Sequence, residues 1–412
     1  MQVHAVTLDM FQSAGVGVAA LLLGLLLTRK VPFLKRRCIP APVSGGLIFS
    51  LLTLCLYGFF GVECAFDSTL RDIFMLVFFT SVGFQSDLRV LRTGGRPLLV
   101  MILLVAVLIA AQNILSVGIA RGLGMDPLFG MAAGSVPMCG GHGTAGGFSP
   151  LLEELGLKGA SSVTMAAATF GLVAGSLLGG PLAEALIRRR RLAEPSSGQD
   201  GLPGVEAGEA SPAAKKEYLQ SDAGSFRGYL YAVCLILLAM ALGSCLSRLL
   251  ARTGITFPTY FGSLLAAALL RNTLGLLPGW ENWAHPEKIV ATGDLCLSLF
   301  LGMAMSTLRL WELASMALPL CLILLAQVAL MALYAVSVAF PLLGRNYDGA
   351  VLVSGLCGFG LGATPNAMAN MSAVCFKYRY AVNPFVIVPI VGAMFVDLIN
   401  TGVVTLFLNL IR

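Results

Sequence analysis

Long apolar runs recur along the whole chain and constrain what it can fold into more than any other feature. Two examples are residues 98–111 (LLVMILLVAVLIAA) and 229–242 (YLYAVCLILLAMAL), each embedded in a longer apolar segment. A helix of about 20 apolar residues crosses the hydrocarbon core of a bilayer. Charged residues make up only 12% of the chain, whereas about a quarter is usual for a soluble domain. The sequence therefore predicts an all-α polytopic membrane protein.

The apolar runs predict ten spanning helices, arranged as two sets of five. The first set comprises 10–28, 43–60, 73–86, 98–120 and 161–187, and the second comprises 227–249, 259–277, 289–307, 315–343 and 383–410. A polar stretch over 188–224, rich in Ser, Pro, Gly and Glu, separates the sets and is typical of a disordered linker. Each set is interrupted before its last span by a glycine-rich region, at 128–156 and at 349–376.

Basic residues of the first half form three clusters that indicate its orientation. The clusters are Arg29, Lys30, Lys35, Arg36 and Arg37 after the first span, Arg89, Arg92 and Arg96 after the third, and Arg188 to Arg191 after the fifth. Because cytoplasmic loops are enriched in Lys and Arg, we expect the N-terminus outside and the linker in the cytoplasm, in a cell inner membrane. This orientation requires 128–156 to enter and leave the membrane on one face, as a re-entrant hairpin. The net charge of +6 is then a topological signal and not one of nucleic-acid binding.

The two halves share a pattern at a constant spacing. The aligned pairs are Asp72 with Asp294, Asp126 with Asp348, Gly140 with Gly362 and His142 with Thr364, each 222 residues apart. Asp72 and Asp294 are each expected to open a span. An odd number of spans per half gives the halves opposite orientations. We therefore expect two inverted five-helix repeats, 1–187 and 225–412, a plan common in transporters that bind substrate near the midplane.

The two glycine-rich segments, CGGHGTAGG at 139–147 and GFGLGATPNAMANM at 358–371, are expected to interrupt helices. Backbone that is not helical is tolerated at membrane depth only where it lines a cavity or is buried in protein. Free N–H groups of a half-helix suit a carboxylate, and free carbonyls suit a small hard cation. Glycines can also serve close helix packing, which is the interpretation we favour for GSLLGG at 175–180. Close packing does not require the His, the Pro and the two Asn found in 139–147 and 358–371. These two segments therefore predict a polar site.

Two titratable residues stand out near these segments. His142 either contacts the substrate or braces the hairpin, and its repeat counterpart, Thr364, cannot titrate, which disfavours a symmetric proton relay. Asp397 lies in the last span, where an ionisable residue is by default functional. It either ligates a cation directly or accepts hydrogen bonds from the hairpin, and Asn400 lies on the same helix face.

Other polar residues have simpler expected roles. Gln112, Asn113 and Gln327 are expected to form interhelical hydrogen bonds. Glu63, Asp67, Arg71 and Asp72 are expected in a solvated extracellular loop. Arg271 lies in a span and either meets a substrate carboxylate or extends towards the helix end.

The motif inventory argues against an enzyme. The sequence has no HExxH or GxSxG motif and no Cys–His–Asp set. A cation channel with glycine-rich pore loops is the alternative. Such channels usually assemble identical loops around an axis, whereas two different loops in one chain favour alternating access.

Five motifs together resemble one family. They are GGHGT (140–144), ATFGLVAG (168–175), LRLWELASMALPL (308–320), GFGLGATPNAMANM (358–371) and VPIVGAMFVDLIN (388–400). With them the chain resembles the bacterial sodium/glutamate symporter family. The resemblance implies glutamate uptake driven by sodium, and a homodimer in lipid whose hairpins move as an elevator-type transport domain. The family pattern often reads GTGAA and GATPTAIANM, where this chain has GTAGG (143–147) and GATPNAMANM (362–371). Asn366 thus stands where the family has a hydroxyl residue, which leaves another dicarboxylate or amino acid open as substrate.

The resemblance and the hairpin chemistry together give a candidate site. The expected substrate-binding residues are Gly140, Gly141, His142, Gly143, Thr144, Ala363, Thr364, Pro365 and Asn366. The expected ligands of the coupling ion, Na⁺, are Gly362, Asn370, Asp397 and Asn400.

Overall fold

The computed structural model describes residues 4–32, 34, 39–89, 95–192, 222–277, 279–280, 284–314 and 316–411. Most of the predicted linker, 193–221, lies outside the described residues, as do Lys35, Arg36, Arg37 and Arg92.

Helices make up almost all of the described chain, which confirms a helical polytopic membrane protein. The helices of the first half are α1 (Met10–Lys30), α2 (Ala41–Phe60), α3 (Thr69–Gln85), α4 (Gly95–Gly122), α5 (Pro127–Ala132), α6 (Ser135–Met138), α7 (Gly141–Glu154) and α8 (Ala160–Arg190). Those of the second half are α9 (Asp222–Ala251), α10 (Phe261–Leu274), α11 (Pro286–Ser306), α12 (Leu310–Ala314), α13 (Ala317–Leu342), α14 (Tyr347–Gly360), α15 (Thr364–Lys377) and α16 (Val382–Ile411). Two of them contain a π-helical turn, α13 at Ala335–Ala339 and α16 at Val391–Phe395.

Two short strands depart from the all-α expectation. β1 (His4–Leu8) and β2 (Val62–Phe66) pair in parallel, with His4 opposite Val62. They precede α1 and follow α2, so they lie at the same end of these two helices. Extended backbone at a helix end satisfies its N–H and C=O groups by such pairing.

Eight described helices are long and apolar enough to cross a membrane. They are α1, α2, α4, α8, α11, α13, α16 and the Phe226–Ala251 part of α9. The other two predicted spans, 73–86 and 259–277, correspond to α3 and α10, which have only 17 and 14 residues. α10 is shorter than its apolar run because a turn at Gly275 ends it.

The stretch 139–147 differs from the expectation of a long non-helical segment. Helix α7 begins at Gly141, so the break is confined to Cys139 and Gly140. The later glycines serve close packing: a Cβ at Gly146 would overlap the ring of Phe300, and one at Gly147 would lie 2.6 Å from Tyr260 Cε1. Sequence alone could not show this, because both rings come from distant helices.

The helices pack as two groups that meet along a common interface. α1 packs against α2 and α11, α3 packs against α10 and α11, and α9 packs against α10. These six helices, α1–α3 and α9–α11, are called the frame group. α8 packs against α7, α14 and α15, while α4 packs against α5, α13 and α16. The helices α4–α8 and α13–α16 are called the hairpin group, since they include both glycine-rich regions.

Candidate functional site

The two helix breaks line one cavity at the interface of the groups. This central cavity has a volume of about 310 Å³. From the hairpin group it is lined by residues 140–143, 362–365 and Asp397. The frame group contributes Phe78, Val82 and Gln85 of α3 and Asp294, Leu297 and Leu301 of α11. The two glycine-rich segments that align between the halves of the sequence therefore lie at one cavity.

Two helix N-termini lie at the wall of the central cavity. α7 starts after Gly140 and α15 starts after Ala363, and neither start has a side-chain cap. The first N–H groups of a helix have no partner within the helix, so α7 offers those of Gly141, His142 and Gly143. In α15 the equivalent donor is the Thr364 N–H, because Pro365 has none. Helix N-termini favour anions, and none of the described lining residues is Lys or Arg.

The tips of the two breaks are in contact. Gly141 has φ +61°, and a Cβ there would lie 2.9 Å from the carbonyl oxygen of Gly362. Only glycine adopts this backbone conformation without strain. The contact joins residues of the two halves of the chain at the centre of the site.

Asp397 faces the cavity beside the first hairpin. Thr144 is buried behind the tip, and its hydroxyl donates a 3.2 Å hydrogen bond to Asp397 Oδ1. This is the hydrogen bond from the hairpin expected as one of the two roles of Asp397. Asp397 lines the cavity, and a carboxylate has several acceptor positions, so positions beyond this hydrogen bond remain for a cation.

Three of the expected site residues do not line the cavity. Asn366 Nδ2 donates to Leu172 O at 2.8 Å, and Asn370 Nδ2 donates to Gly175 O at 2.9 Å. Both amides thus attach α15 to α8. Asn400 exchanges two hydrogen bonds with Ser135 of the first hairpin, one of them 2.7 Å long. Asn366 and Asn400 still lie directly behind the tips, because a Cβ at Gly362 would be 2.8 Å from Asn366 Nδ2 and one at Gly140 would be 2.6 Å from Asn400 Nδ2. Asn366 Oδ1 is buried and has no hydrogen-bond partner among the described residues.

His142 lines the cavity and also braces the first hairpin. Its side chain is buried, and Nε2 lies 3.0 Å from Thr169 Oγ1 of α8. The Thr169 hydroxyl itself donates to Met165 O at 2.9 Å. Its proton is thereby used, so Nε2–H is the donor in this pair. This hydrogen bond is the kind of contact expected if His142 braces the first glycine-rich segment against α8.

We predict that His142 and Thr169 are energetically coupled. In a double-mutant cycle on the purified protein, His142→Ala and Thr169→Ala should each lower the melting temperature, and the double variant should lose less than the sum because the hydrogen bond contributes about 0.5–1.5 kcal/mol. Thr292→Ala is the matched control, since the Thr292 hydroxyl bonds only to Lys288 O of its own helix. Full additivity of the His142 and Thr169 effects would contradict the brace.

Asp294 is a cavity residue that the sequence-based assignment missed. It was expected to open a span, but α11 begins at Pro286. Asp294 therefore lies two turns into the helix, exposed on the frame wall of the cavity. An acidic residue within an apolar run was the available signal in the sequence.

Arg271 does not reach the central cavity. Its Nη2 donates to Asp87 Oδ2 at 2.8 Å. The glutamines behave as expected, since Gln112 Nε2 donates to Gly360 O and Gln327 Nε2 donates to Gln112 O. The predicted solvated loop is more ordered than expected, with Glu63 paired to Arg309 at 3.0 Å.

The two groups are in close contact on one side of the cavity. The Tyr260 ring, at the start of α10, packs against Gly147 of the hairpin group. Within the frame group the same ring stacks on Phe79 with a centroid distance of 3.7 Å. Farther along, Arg309 N donates to Ser162 Oγ at 3.1 Å. The exposed lining residues Asp294 and Pro365 lie towards the opposite face, where α11 and α2 begin. The cavity is therefore accessible from the face where α11 and α2 begin.

Comparison with known proteins identifies close relatives over nearly the whole chain. The model of a family described as sodium/glutamate symporter matches residues 6–380. A protein named sodium/glutamate symporter from Escherichia coli is 40% identical over 407 residues, covering 98% of each chain. A protein of the same name from Haemophilus influenzae is 35% identical over 397 residues, covering 96% of each chain. These relatives are named as symporters and not as enzymes.

Proposed function

Since this chain belongs to the sodium/glutamate symporter family, we propose that it takes up glutamate across the cell inner membrane, coupled to sodium. The observation that carries this proposal is the central cavity, where two uncapped helix N-termini and the Asp397 carboxylate converge on the hairpin group and Asp294 lies on the opposite wall. That set of groups suits a dicarboxylate together with a cation. Membership of the family makes the chain a transporter and not an enzyme.

Glutamate is bound through the helix starts. We place one carboxylate at the N–H groups of Gly141, His142 and Gly143. The other lies at Thr364, with Gly140, Ala363 and Pro365 shaping the wall. Helix N-termini supply the positive potential that arginine supplies elsewhere. Asn366 does not line the cavity but lies directly behind Gly362, so competition with other dicarboxylates decides whether its departure from the family pattern affects the substrate.

Sodium is bound next to the substrate, at the hairpin face of the cavity. The available oxygens are those of Asp397 and the carbonyl of Gly362, which suit a hard monovalent cation. Thr144 orients the carboxylate by its hydrogen bond. Asn370 and Asn400 position helices α15 and α16 instead of contacting the ion, as their hydrogen bonds indicate. The bound cation offsets the negative charge of the substrate.

The two halves, 1–187 and 225–412, are proposed as inverted repeats with re-entrant hairpins at 128–156 and 349–376. Matching helix starts support this plan: α4 and α13 begin 222 residues apart, and so do α8 and α16. An outside N-terminus and a cytoplasmic linker follow from the basic clusters.

Transport proceeds by movement of the hairpin group against the frame group, in elevator fashion and in a homodimer, as the family resemblance implies. The interface geometry supports the movement. Both proposed binding regions lie on the hairpin group, and the frame wall of the cavity is largely apolar. Gly146 and Gly147 have no side chains, so this part of α7 presents a smooth surface to Phe300 and Tyr260.

Reconstituted protein provides the direct test. Proteoliposomes should accumulate labelled glutamate only with an inward sodium gradient, and unlabelled glutamate should compete better than aspartate, citrate or glutarate. Uptake that does not depend on sodium would refute coupling. A glutamate-independent sodium current that dissipates the gradient would instead indicate a channel.

A further inference from the structure

The frame wall of the central cavity presents two polar side chains, Gln85 of α3 and Asp294 of α11. The other described frame residues in the lining are apolar: Pro40, Phe78, Val82, Leu297 and Leu301. The Ser298 hydroxyl bonds to the backbone carbonyl of Asp294 and not to its side chain. Within the described part of the chain neither the Asp294 carboxylate nor the Gln85 carboxamide has a partner. Both polar groups are therefore left for a ligand.

Asp294 lies close to the start of α7, one of the two helix starts at the cavity. A Cβ at Gly143 would be 3.0 Å from Phe78 Cε1 and 3.7 Å from Leu297 Cδ1, so the start of α7 rests against α3 and α11. Leu297 follows Asp294 by three residues, and residues at this spacing are neighbours on one helix face. Asp294 is therefore about one helical turn from the free N–H groups of α7.

Gln85 is brought to the same wall by the packing of α3 on α11. A Cβ at Gly293 would overlap Ser81 Oγ, so the two helices are in direct contact one residue before Asp294. Gln85 follows Ser81 by four residues and lies on the same face of α3. The two polar side chains thus line adjoining parts of the frame wall.

We propose that Asp294, assisted by Gln85, binds the α-ammonium group of the substrate and selects an amino acid over a plain dicarboxylate. This role rests on the transport function proposed above. It places the α-carboxylate of glutamate at the start of α7 and the side-chain carboxylate at Thr364. The ammonium group is on the same carbon atom as the α-carboxylate, so it lies next to the frame wall.

The two side chains fit an ammonium group better than a second metal ion. An ammonium group has three donors, and the Asp294 carboxylate and the Gln85 carbonyl supply acceptors for them. Hard metal cations usually take about six oxygen ligands or more, which this largely apolar wall does not offer. Asp294 also repels a ligand that has two carboxylates and no ammonium group, and repulsion of this kind adds to specificity.

The ammonium contact depends on how the two helix groups are placed. Asp294 belongs to the frame group, whereas both proposed carboxylate sites belong to the hairpin group. The contact therefore breaks when the hairpin group moves. Its removal weakens glutamate binding in the present arrangement but does not slow the movement itself.

Binding is tested on the full chain in nanodiscs at saturating sodium, by equilibrium titration with glutamate and with glutarate, which lacks only the ammonium group. The unmodified protein should bind glutamate at least about tenfold more tightly, the factor expected from one charge-assisted hydrogen bond. Asp294→Asn should remove this preference, because glutamate binds more weakly while glutarate binds equally well or more tightly. Gln85→Met removes the second acceptor and should weaken glutamate alone, by about threefold.

Two further variants separate the contact from a general effect of charge. Asp294→Glu keeps the carboxylate and should retain most of the preference for glutamate. Glu287→Gln removes one negative charge from the same helix, at an exposed position outside the cavity lining, and should leave the ratio of the two affinities unchanged. An unchanged ratio in Asp294→Asn, or an equal change in Glu287→Gln, would overturn the proposal.

Uptake measurements distinguish the ammonium contact from the transport function. Proteoliposomes with Asp294→Asn should retain the maximal rate of glutamate uptake and, at saturating glutamate, the sodium half-saturation. Ammonium-dependent binding in a protein that takes up no glutamate would leave the contact intact and refute the transport function. Sodium-driven uptake with an unchanged ratio of affinities in Asp294→Asn would do the reverse.

Discussion

Replacing Asp397 by Asn is expected to raise the sodium concentration for half-maximal uptake by at least about tenfold. Two unit charges 4 Å apart attract by about 4 kcal/mol at an effective dielectric constant of 20, and about 1.4 kcal/mol corresponds to tenfold in affinity. Asn keeps the side-chain shape and can still accept the Thr144 hydrogen bond. The glutamate KM at saturating sodium should therefore change much less. Uptake at varied sodium and at varied glutamate measures both quantities.

Asp294→Asn is the matched control for this substitution. Asp294 is the other carboxylate in the cavity wall, but it belongs to the frame group and is exposed. Its replacement should leave sodium half-saturation within about threefold of the original, a change of less than 1 kcal/mol. An unchanged sodium dependence in Asp397→Asn would refute the assigned role, as would an equal effect of the two substitutions.

Gly141→Ala is expected to reduce the uptake rate by about thirtyfold or more. An L-residue at φ +61° is strained by about 1–2 kcal/mol. The added methyl would also lie 2.9 Å from Gly362 O, and overpacking of this kind costs a further 1–3 kcal/mol or so. The backbone strain and the steric overlap can both be relieved only if Gly141 and Gly362 move apart, which changes the proposed binding site. Initial uptake rates, normalised to the amount of folded protein, measure the effect.

Gly124→Ala separates backbone strain from the tip contact. Gly124 has φ +70°, and a Cβ there would have nothing within 4 Å. This substitution should lower the melting temperature in a similar way, through about 1–2 kcal/mol of strain, but retain most of the uptake. Equal losses of uptake in the two variants would show that strain alone, and not the Gly141–Gly362 contact, accounts for the effect.

The sequence located the break positions well because glycine, proline and polar residues inside an apolar chain have few structural explanations. Gly140, Gly362 and Asp397 accordingly line one cavity. The helical state of 141–147 was not predictable, since it depends on how closely Phe300 and Tyr260 approach. The spacing of the glycines does not reveal their partners.

Three carboxamides expected at the candidate site do not line the cavity. Asn366 and Asn370 are four residues apart on α15, so they share one helix face. That face packs on α8 and not on the cavity. A sequence pattern gives the shared face of a helix but not what the face packs against. Arg271 illustrates the same limit, because its partner, Asp87, lies at the end of another helix.

The contact between Gly141 and Gly362 also affects the order in which the molecule can be completed during synthesis. The two residues are 221 positions apart, so at about 5–20 residues per second translation needs roughly 10–45 s to reach the second after the first. During that interval the start of α7 lacks its contact with Gly362. The centre of the site is therefore completed only after most of the second half has been synthesised.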